Sequence, residues 1–246
     1  MLNPILMDLL LILKGIFVIF VCMDKKMLEE IKKKLKEFDD PYKARDFLLT
    51  SLNMKKYLSN RRILRIGNVP IRCEVYENQK DNPVIIFIPG VGTYSEIYCE
   101  FLHKLSQLGY NVAGIDLRGH GYSGGKRGHY TVDEVVSDLG EVITRLSHEY
   151  NNKIALLGCS IGAPLALSTA ERDDRVNAVL CHTLFFSEFP PHLLVSFGWM
   201  FANTTAMLIP GISVNIKTLL DIDALSRGIP FGELKDFDNL MVWEYP

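Results

Sequence analysis

Three short runs in the middle of the chain are apolar at almost every position: VIIFIPG (84–90), VAGIDL (112–117) and IALLG (154–158). They are short for buried helices and lack the alternation of a strand that wets one face. A strand that is apolar throughout needs cover on both sides, as in a parallel sheet held between two helical layers. The segments between the runs supply that cover. Ile97 to Leu108 has helical character and Gly109 ends it. Thr131-Val-Asp-Glu134 reads as a capping box opening a helix that runs to about Tyr150. Gly162 to Arg172 is a helix rich in small residues, followed by a fourth strand, VNAVLCHT (176–183). Upstream, RRILRIG (61–67) and IRCEVYE (71–77) form two strands joined at Asn68-Val69-Pro70. The repeated strand–helix order predicts an α/β fold, a mainly parallel sheet with helices on both faces. In such sheets ligands bind beyond the carboxyl ends of the strands.

Composition narrows the function. The 246 residues include 27 Lys+Arg and 29 Asp+Glu, a net charge of −2, and 48% are hydrophobic. A disordered chain is poorer in apolar residues and more unbalanced in charge. A general nucleic-acid binder needs a basic surplus, so nucleic acid is not an expected partner. The five cysteines, Cys22, Cys73, Cys99, Cys159 and Cys181, are scattered and form no C-x-x-C pair. They read as reduced thiols of a cytoplasmic or cytosol-facing protein, and neither a metal nor a cofactor is expected.

Residues 1–60 form an N-terminal appendage. Residues 5–23, ILMDLLLILKGIFVIFVCM, approach the length of a bilayer span but contain Asp8 and Lys14. Three readings stand: a membrane anchor, a helix packed on the protein itself, or a segment never made because translation starts at Met23 or Met27. If the segment spans, the lysines at 25, 26, 32, 33, 34 and 36 place the body of the protein on the cytoplasmic face. Met27, Leu28, Ile31, Leu35 and Phe38 then recur at helical spacing, and Asp39-Asp40-Pro41 ends that amphipathic helix. A second short helix is predicted from Tyr42 to Leu58.

The chemistry sits at the strand ends. Gly158-Cys159-Ser160-Ile161-Gly162 is G-x-S-x-G, directly after a buried strand and directly before a helix. A serine in so tight a turn projects its hydroxyl above the sheet, and side chains at the flanking glycines would clash with neighbouring backbone. The helix that follows brings a positive dipole end. Pro89-Gly90-Val91-Gly92 closes the first apolar strand. A glycine-rich loop there can turn the Val91 N–H toward the serine, and Ile161 N–H is the second donor that an oxyanion needs.

The third element is Asp116-Leu117-Arg118-Gly119-His120-Gly121-Tyr122-Ser123, continued by Gly124-Gly125-Lys126-Arg127-Gly128. With P-G-x-G upstream and G-x-S-x-G downstream, D-x-R-G-H-G-x-S resembles the α/β-hydrolase fold. Within it the pattern is most similar to the monoacylglycerol lipase and lysophospholipase-like hydrolases, the serine aminopeptidase (S33) group. The resemblance spans residues 61–183. It implies that Ser160 is the nucleophile, that Val91 and Ile161 supply the oxyanion donors, and that the 116–123 loop, His120 included, is structural. Pro89 departs from the pattern, since the family usually carries histidine there. The resemblance also implies a helical cap in 184–246, centred on 184–225, whose Phe185, Phe186, Phe189, Trp199, Met200, Phe201 and Met207 suit an acyl pocket. The implied substrate is a small acyl ester such as a monoglyceride or lysophospholipid.

In this fold the triad follows the order Ser, then acid, then His. No strand of the expected kind precedes Asp221, Asp223, Asp236 or Asp238, and the histidines after Ser160 are His182 and His192. The sequence therefore predicts a partial hydrolase fold without its final strands, acid or base. His182 ends the strand beside the elbow, but no carboxylate is evident to orient it. Two function classes follow: a serine ester hydrolase whose C-terminal part is absent, or a non-catalytic binding module built on the fold's first half.

Overall fold

The computed structural model describes residues 25–150, 152–182, 214–215, 238 and 240–245. Its main sheet has the order β1-β2-β4-β3-β5-β6, with β1 at Arg62–Ile66, β2 at Ile71–Tyr76, β3 at Val84–Ile88, β4 at Asn111–Ile115, β5 at Ile154–Cys159 and β6 at Val176–His182. β1 and β2 make the expected hairpin, and β2 also runs antiparallel to β4. β4, β3, β5 and β6 are parallel. A separate antiparallel pair joins β7 (Val214–Asn215) to β8 (Glu244–Tyr245).

The apolar run at 84–88 is buried along its whole length because its two faces enter two cores. Val84, Ile86 and Ile88 join Val135, Leu139, Val142 and Ile143 of α5 (Val132–Glu149) and Leu165 of α6 (Gly162–Ala170). Ile85 and Phe87 join Phe101, Leu102 and Leu105 of α4 (Cys99–Ser106) on the other side. Each such side chain contributes about 1.5–3 kcal/mol of burial, so β3 ties both helical layers to one strand. Thr131 caps α5 through the predicted box: its hydroxyl accepts the Glu134 N–H, and Glu134 accepts the Thr131 N–H at 2.8 Å.

The N-terminal helices differ from the sequence reading in one respect. α1 covers Lys25–Leu35 and buries Ile31 and Leu35 against Ala44 and Leu48. The predicted helix from Tyr42 to Leu58 is two helices, α2 (Pro41–Ser51) and α3 (Lys55–Leu58). Asn53 adopts a left-handed φ of +54°, and the Met54 N–H folds back to the Leu49 carbonyl at 2.9 Å. That break turns Met54 into the second core beside Leu49. A 3₁₀ turn at Ser95–Tyr98 precedes α4, and the Ser95 N–H at its start donates to Asp116 at 2.8 Å. Among the described residues no helix is long and apolar enough to cross a membrane. Residues 5–23 and nearly all of the cap region lie outside the described residues.

Between β2 and α2 lies a buried ionic network that no local pattern announces. Arg45 donates to the Tyr94 hydroxyl at 3.0 Å, to the Tyr122 hydroxyl at 2.6 Å and to Glu96. Arg61 pairs with Glu74 and, at 2.8 Å, with Glu96. Arg72 lies 3.4 Å from both Glu74 and Asp116 and 3.3 Å from Glu96. The Tyr94 hydroxyl donates to Asp238 at 2.5 Å. Glu74 and Asp116 are fully buried. Burial lifts the Glu74 carboxyl to about 6, although Arg72 and Arg61 pull it back.

The 116–123 loop is built around Asp116. Its carboxylate accepts the Ser95 hydroxyl at 2.6 Å and the Tyr122 N–H at 2.9 Å, besides Ser95 N–H and Arg72. Arg118 forks onto Asp138 of α5 with contacts of 2.9 and 2.7 Å. His120 is 1% exposed; its Nδ1 lies 2.9 Å from the Arg118 carbonyl and its Nε2 2.5 Å from the Tyr245 hydroxyl. Desolvation pushes this imidazole down to about 4. His120 is thus a buried neutral histidine, and Asp116 is saturated by donors.

Removing one member of the network leaves its partners buried and charged. Arg72→Ala is expected to cost about 3–5 kcal/mol, read as a lower urea midpoint at pH 7. The pH dependence has a worked sign. The unfolded chain protonates His120 near 6.5 and the folded chain only near 4, so stability falls as pH drops through that window. The contribution is at most about 3 kcal/mol. Glu74 opposes it, because the folded carboxyl holds its proton up to about 6 and favours folding as pH drops from there toward 4.5. Urea midpoints between pH 6.5 and 4 are therefore expected to fall less steeply in His120→Asn and more steeply in Glu74→Gln.

Candidate active site

β5 ends at Cys159 and α6 begins at Gly162, so two residues make the whole turn. Ser160 has a φ of +53°, a left-handed backbone that a residue with a Cβ rarely adopts. The neighbours hold it there. The Ser160 N–H donates to the His182 carbonyl of β6 at 2.9 Å, and its carbonyl accepts the Ala163 N–H at 2.9 Å. A Cβ on Gly158 would meet the Gly162 carbonyl and the Ala163 backbone closer than 3.0 Å. A Cβ on Gly162 would meet the carbonyls of Ile88 and Pro89 as closely. The two glycines let the start of α6 press against the ends of β3 and β5, and Ser160 is the residue left to arch over the contact. Its side chain is half-buried, with the amino-terminal end of α6 immediately behind it.

The Pro89–Thr93 loop abuts this serine: a Cβ on Gly90 would stand 3.5 Å from that of Ser160. The loop's own polar groups are largely taken. The Gly90 carbonyl accepts the Thr93 N–H at 3.2 Å and the Thr93 hydroxyl at 2.7 Å. The Tyr98 hydroxyl lies 3.1 Å from Thr93 Oγ1. The Gly92 N–H donates to the Tyr245 hydroxyl at 2.9 Å, and the Gly92 carbonyl accepts the Val242 N–H at 2.9 Å. Among the described residues, the N–H groups of Val91 and Ile161 have no hydrogen-bond partner. Because a trans peptide sets C=O and N–H on opposite sides, the grip of Thr93 on Gly90 also directs the Val91 N–H away from Thr93.

No described side chain hydrogen-bonds the Ser160 hydroxyl. His182 pairs with Cys159 across β5 and β6, and its Nδ1 lies 3.7 Å from the Cys159 thiol. Burial lowers the His182 imidazole and pushes the Cys159 thiol up to about 11. Asp238, the one described member of the four late aspartates, is engaged by Tyr94, the Leu240 N–H and Arg45. His192 and the apolar cap residues lie outside the described residues. The described residues contain no group of three or more His, Cys, Asp or Glu arranged to hold a metal ion. Sequence reasoning missed Thr93 and Tyr245. Thr93 is three residues from Gly90, where a turn-forming hydroxyl is a usable signal, whereas Tyr245 is 153 positions from Gly92.

Comparison with known proteins agrees with this architecture. The fold is similar to that of the monoacylglycerol lipase of Paleococcus ferrophilus, with TM-score 0.52 and 28% identity, covering 70% of this chain and 65% of the lipase. The α/β hydrolase GrgF from Penicillium sp. sh18 shares the fold with TM-score 0.56 at 18% identity, over 75% of this chain and 69% of that one. Protein phosphatase methylesterase 1 of Mus musculus is 24% identical over 134 residues, 53% of this chain. The chain spans 34% of the methylesterase's length and just under two thirds of the lipase's. The family model for serine aminopeptidase, S33, matches residues 79–245, which hold the glycine loop, the Asp116 loop, the elbow and β8. The match covers well over half of the chain, and the chain belongs to the serine aminopeptidase S33 family of α/β hydrolases.

Proposed function

We propose that this chain carries the nucleophile and oxyanion half of a serine hydrolase acting on small acyl esters, of the monoglyceride or lysophospholipid kind. The observation that carries the reading is the left-handed backbone of Ser160, held between Gly158 and Gly162 at the carboxyl end of β5. Ser160 Oγ bonds to the ester carbonyl carbon as the C=O π pair moves onto the oxygen, which the N–H groups of Val91 and Ile161 hold; the hydroxyl proton passes to solvent water, and the alcohol leaves with a solvent proton as the carbonyl re-forms. Both N–H groups lack an internal partner among the described residues, which supports that role. The substrate class rests on the 28% identity to a protein that is a monoacylglycerol lipase. A lipid ester also suits the apolar segment at 5–23, through which we propose association with a membrane surface.

One observation favours a second reading, a binding module of the same fold. No described imidazole touches the Ser160 hydroxyl, and the nearby His182 contacts Cys159. A serine without a base is a poor nucleophile, and a general base is worth about 10²–10⁴ in rate.

A fluorophosphonate probe separates the two readings. The hydrolase reading expects a slow adduct on Ser160, located by peptide mass spectrometry and absent in Ser160→Ala. No adduct, or one on another residue, would leave the binding module. Hydrolysis of short p-nitrophenyl esters is expected barely above background in the same chain. Rapid turnover lost in Ser160→Ala would mean that a base does reach the hydroxyl.

A further inference from the structure

The segment from Asp238 to Tyr245 meets the glycine loop far from it in sequence, and the two fit group by group. Gly92 has a φ of +70°, and a Cβ there would run into the Val242 carbonyl. Gly128, with a φ of +71°, similarly leaves room for the Glu244 carbonyl. Met241 and Val242 are buried, and the Met241 carbonyl accepts from Arg127 at 3.1 Å. At the far end Asp238 is held by Tyr94 and Arg45. The segment is therefore seated at several points, and both polar groups of Gly92 are bonded to it.

With the His120 imidazole neutral, the proton positions in this contact follow from the acceptor at Nδ1. The Arg118 carbonyl can only accept, so His120 Nδ1 carries the proton and donates to it. His120 Nε2 is then the acceptor, and the Tyr245 hydroxyl donates to it. With its proton committed, the Tyr245 oxygen has lone pairs for the Gly92 N–H. One hydroxyl thus connects the buried histidine of the Asp116 loop to the loop beside Ser160. A phenylalanine would fill the same space and do neither.

We propose that Tyr245 is a positioning residue for the oxyanion loop: by holding the Gly92 peptide from one side while Thr93 holds the Gly90 carbonyl from the other, it aims the Val91 N–H at the Ser160 site. Its effect on reactivity rests on the acyl-ester reading above, whereas its hold on Gly92 does not.

The test uses the full chain and Tyr245→Phe, read by amide hydrogen exchange and by the kinetics of fluorophosphonate labelling. Exchange at Gly92 is expected to quicken at least tenfold with the β3 and β5 amides unchanged. The maximal labelling rate at Ser160 is expected to fall about tenfold, within the range of a weakened oxyanion donor, while the probe concentration for half-maximal rate stays put. A residue that merely supported the fold would change exchange throughout the sheet and would not produce that split. Unchanged exchange at Gly92 overturns the proposal, as does faster exchange with an unchanged maximal rate. If the unaltered chain takes no label at all, the acyl-ester reading fails, and Gly92 exchange alone decides whether Tyr245 holds the loop.

Discussion

The close approach of α6 to the ends of β3 and β5 is the constraint on which the site depends. At Gly158 and Gly162 a Cβ would collide with the backbone of that contact. With both positions empty, the chain turns from strand to helix within two residues, and the left-handed conformation falls on Ser160. Such a backbone costs on the order of 1–3 kcal/mol and persists because its surroundings over-determine it. Here the surroundings are a carbonyl of β6, the Ala163 N–H of α6 and two packed cores sharing β3. The strain is sustained by the same burial that makes the sheet.

The polar interior is a separate set of contacts that includes no residue of that turn. Asp116, Arg72, Glu74 and Glu96 sit at one end of the sheet with Arg45 and Arg61 closing the set from the N-terminal segments. Buried charges of this kind add little net stability over apolar packing, yet losing one is costly because its partners stay buried. Their consequence is registry. Arg45 can satisfy Glu96, Tyr94 and Tyr122 together only if α2 docks in one position, and Tyr94 then presents its hydroxyl to Asp238. The N-terminal helices, the Asp116 loop and the late segment at 238–245 are joined through these few groups.

The sequence was most informative where the physics is local. The burial of 84–88, the capping box at Thr131, the hairpin around Asn68 and the glycine pair around Ser160 are each set by residues within a few positions of one another, and each appears as predicted. The break in the second helix is not marked by proline or glycine at Leu52-Asn53-Met54; it forms as Met54 gains a place in the core. The ionic network was invisible for a different reason. Arg45 and Glu96 are 51 positions apart and Arg72 and Asp116 are 44 apart, and an ion pair leaves no periodicity in a sequence. The same holds for Tyr245, which reaches both Gly92 and His120 from a two-residue strand.

That division between local and distant causes bears on the chemistry. A nucleophile elbow is a property of five consecutive residues and the strands that flank them, so it forms wherever that packing forms. An acid–base pair is a property of chain segments that have to arrive from elsewhere in the fold, and the elbow does nothing to recruit them. The N–H groups proposed to hold a developing oxyanion lie between these cases: that of Ile161 belongs to the turn itself, whereas Val91 sits in a loop whose neighbours are held by Thr93 from nearby and by Tyr245 from afar. The backbone geometry of Ser160 is thus set by its own neighbourhood, whereas the aim proposed for Val91 and the reactivity proposed for the hydroxyl both call on groups from distant parts of the chain.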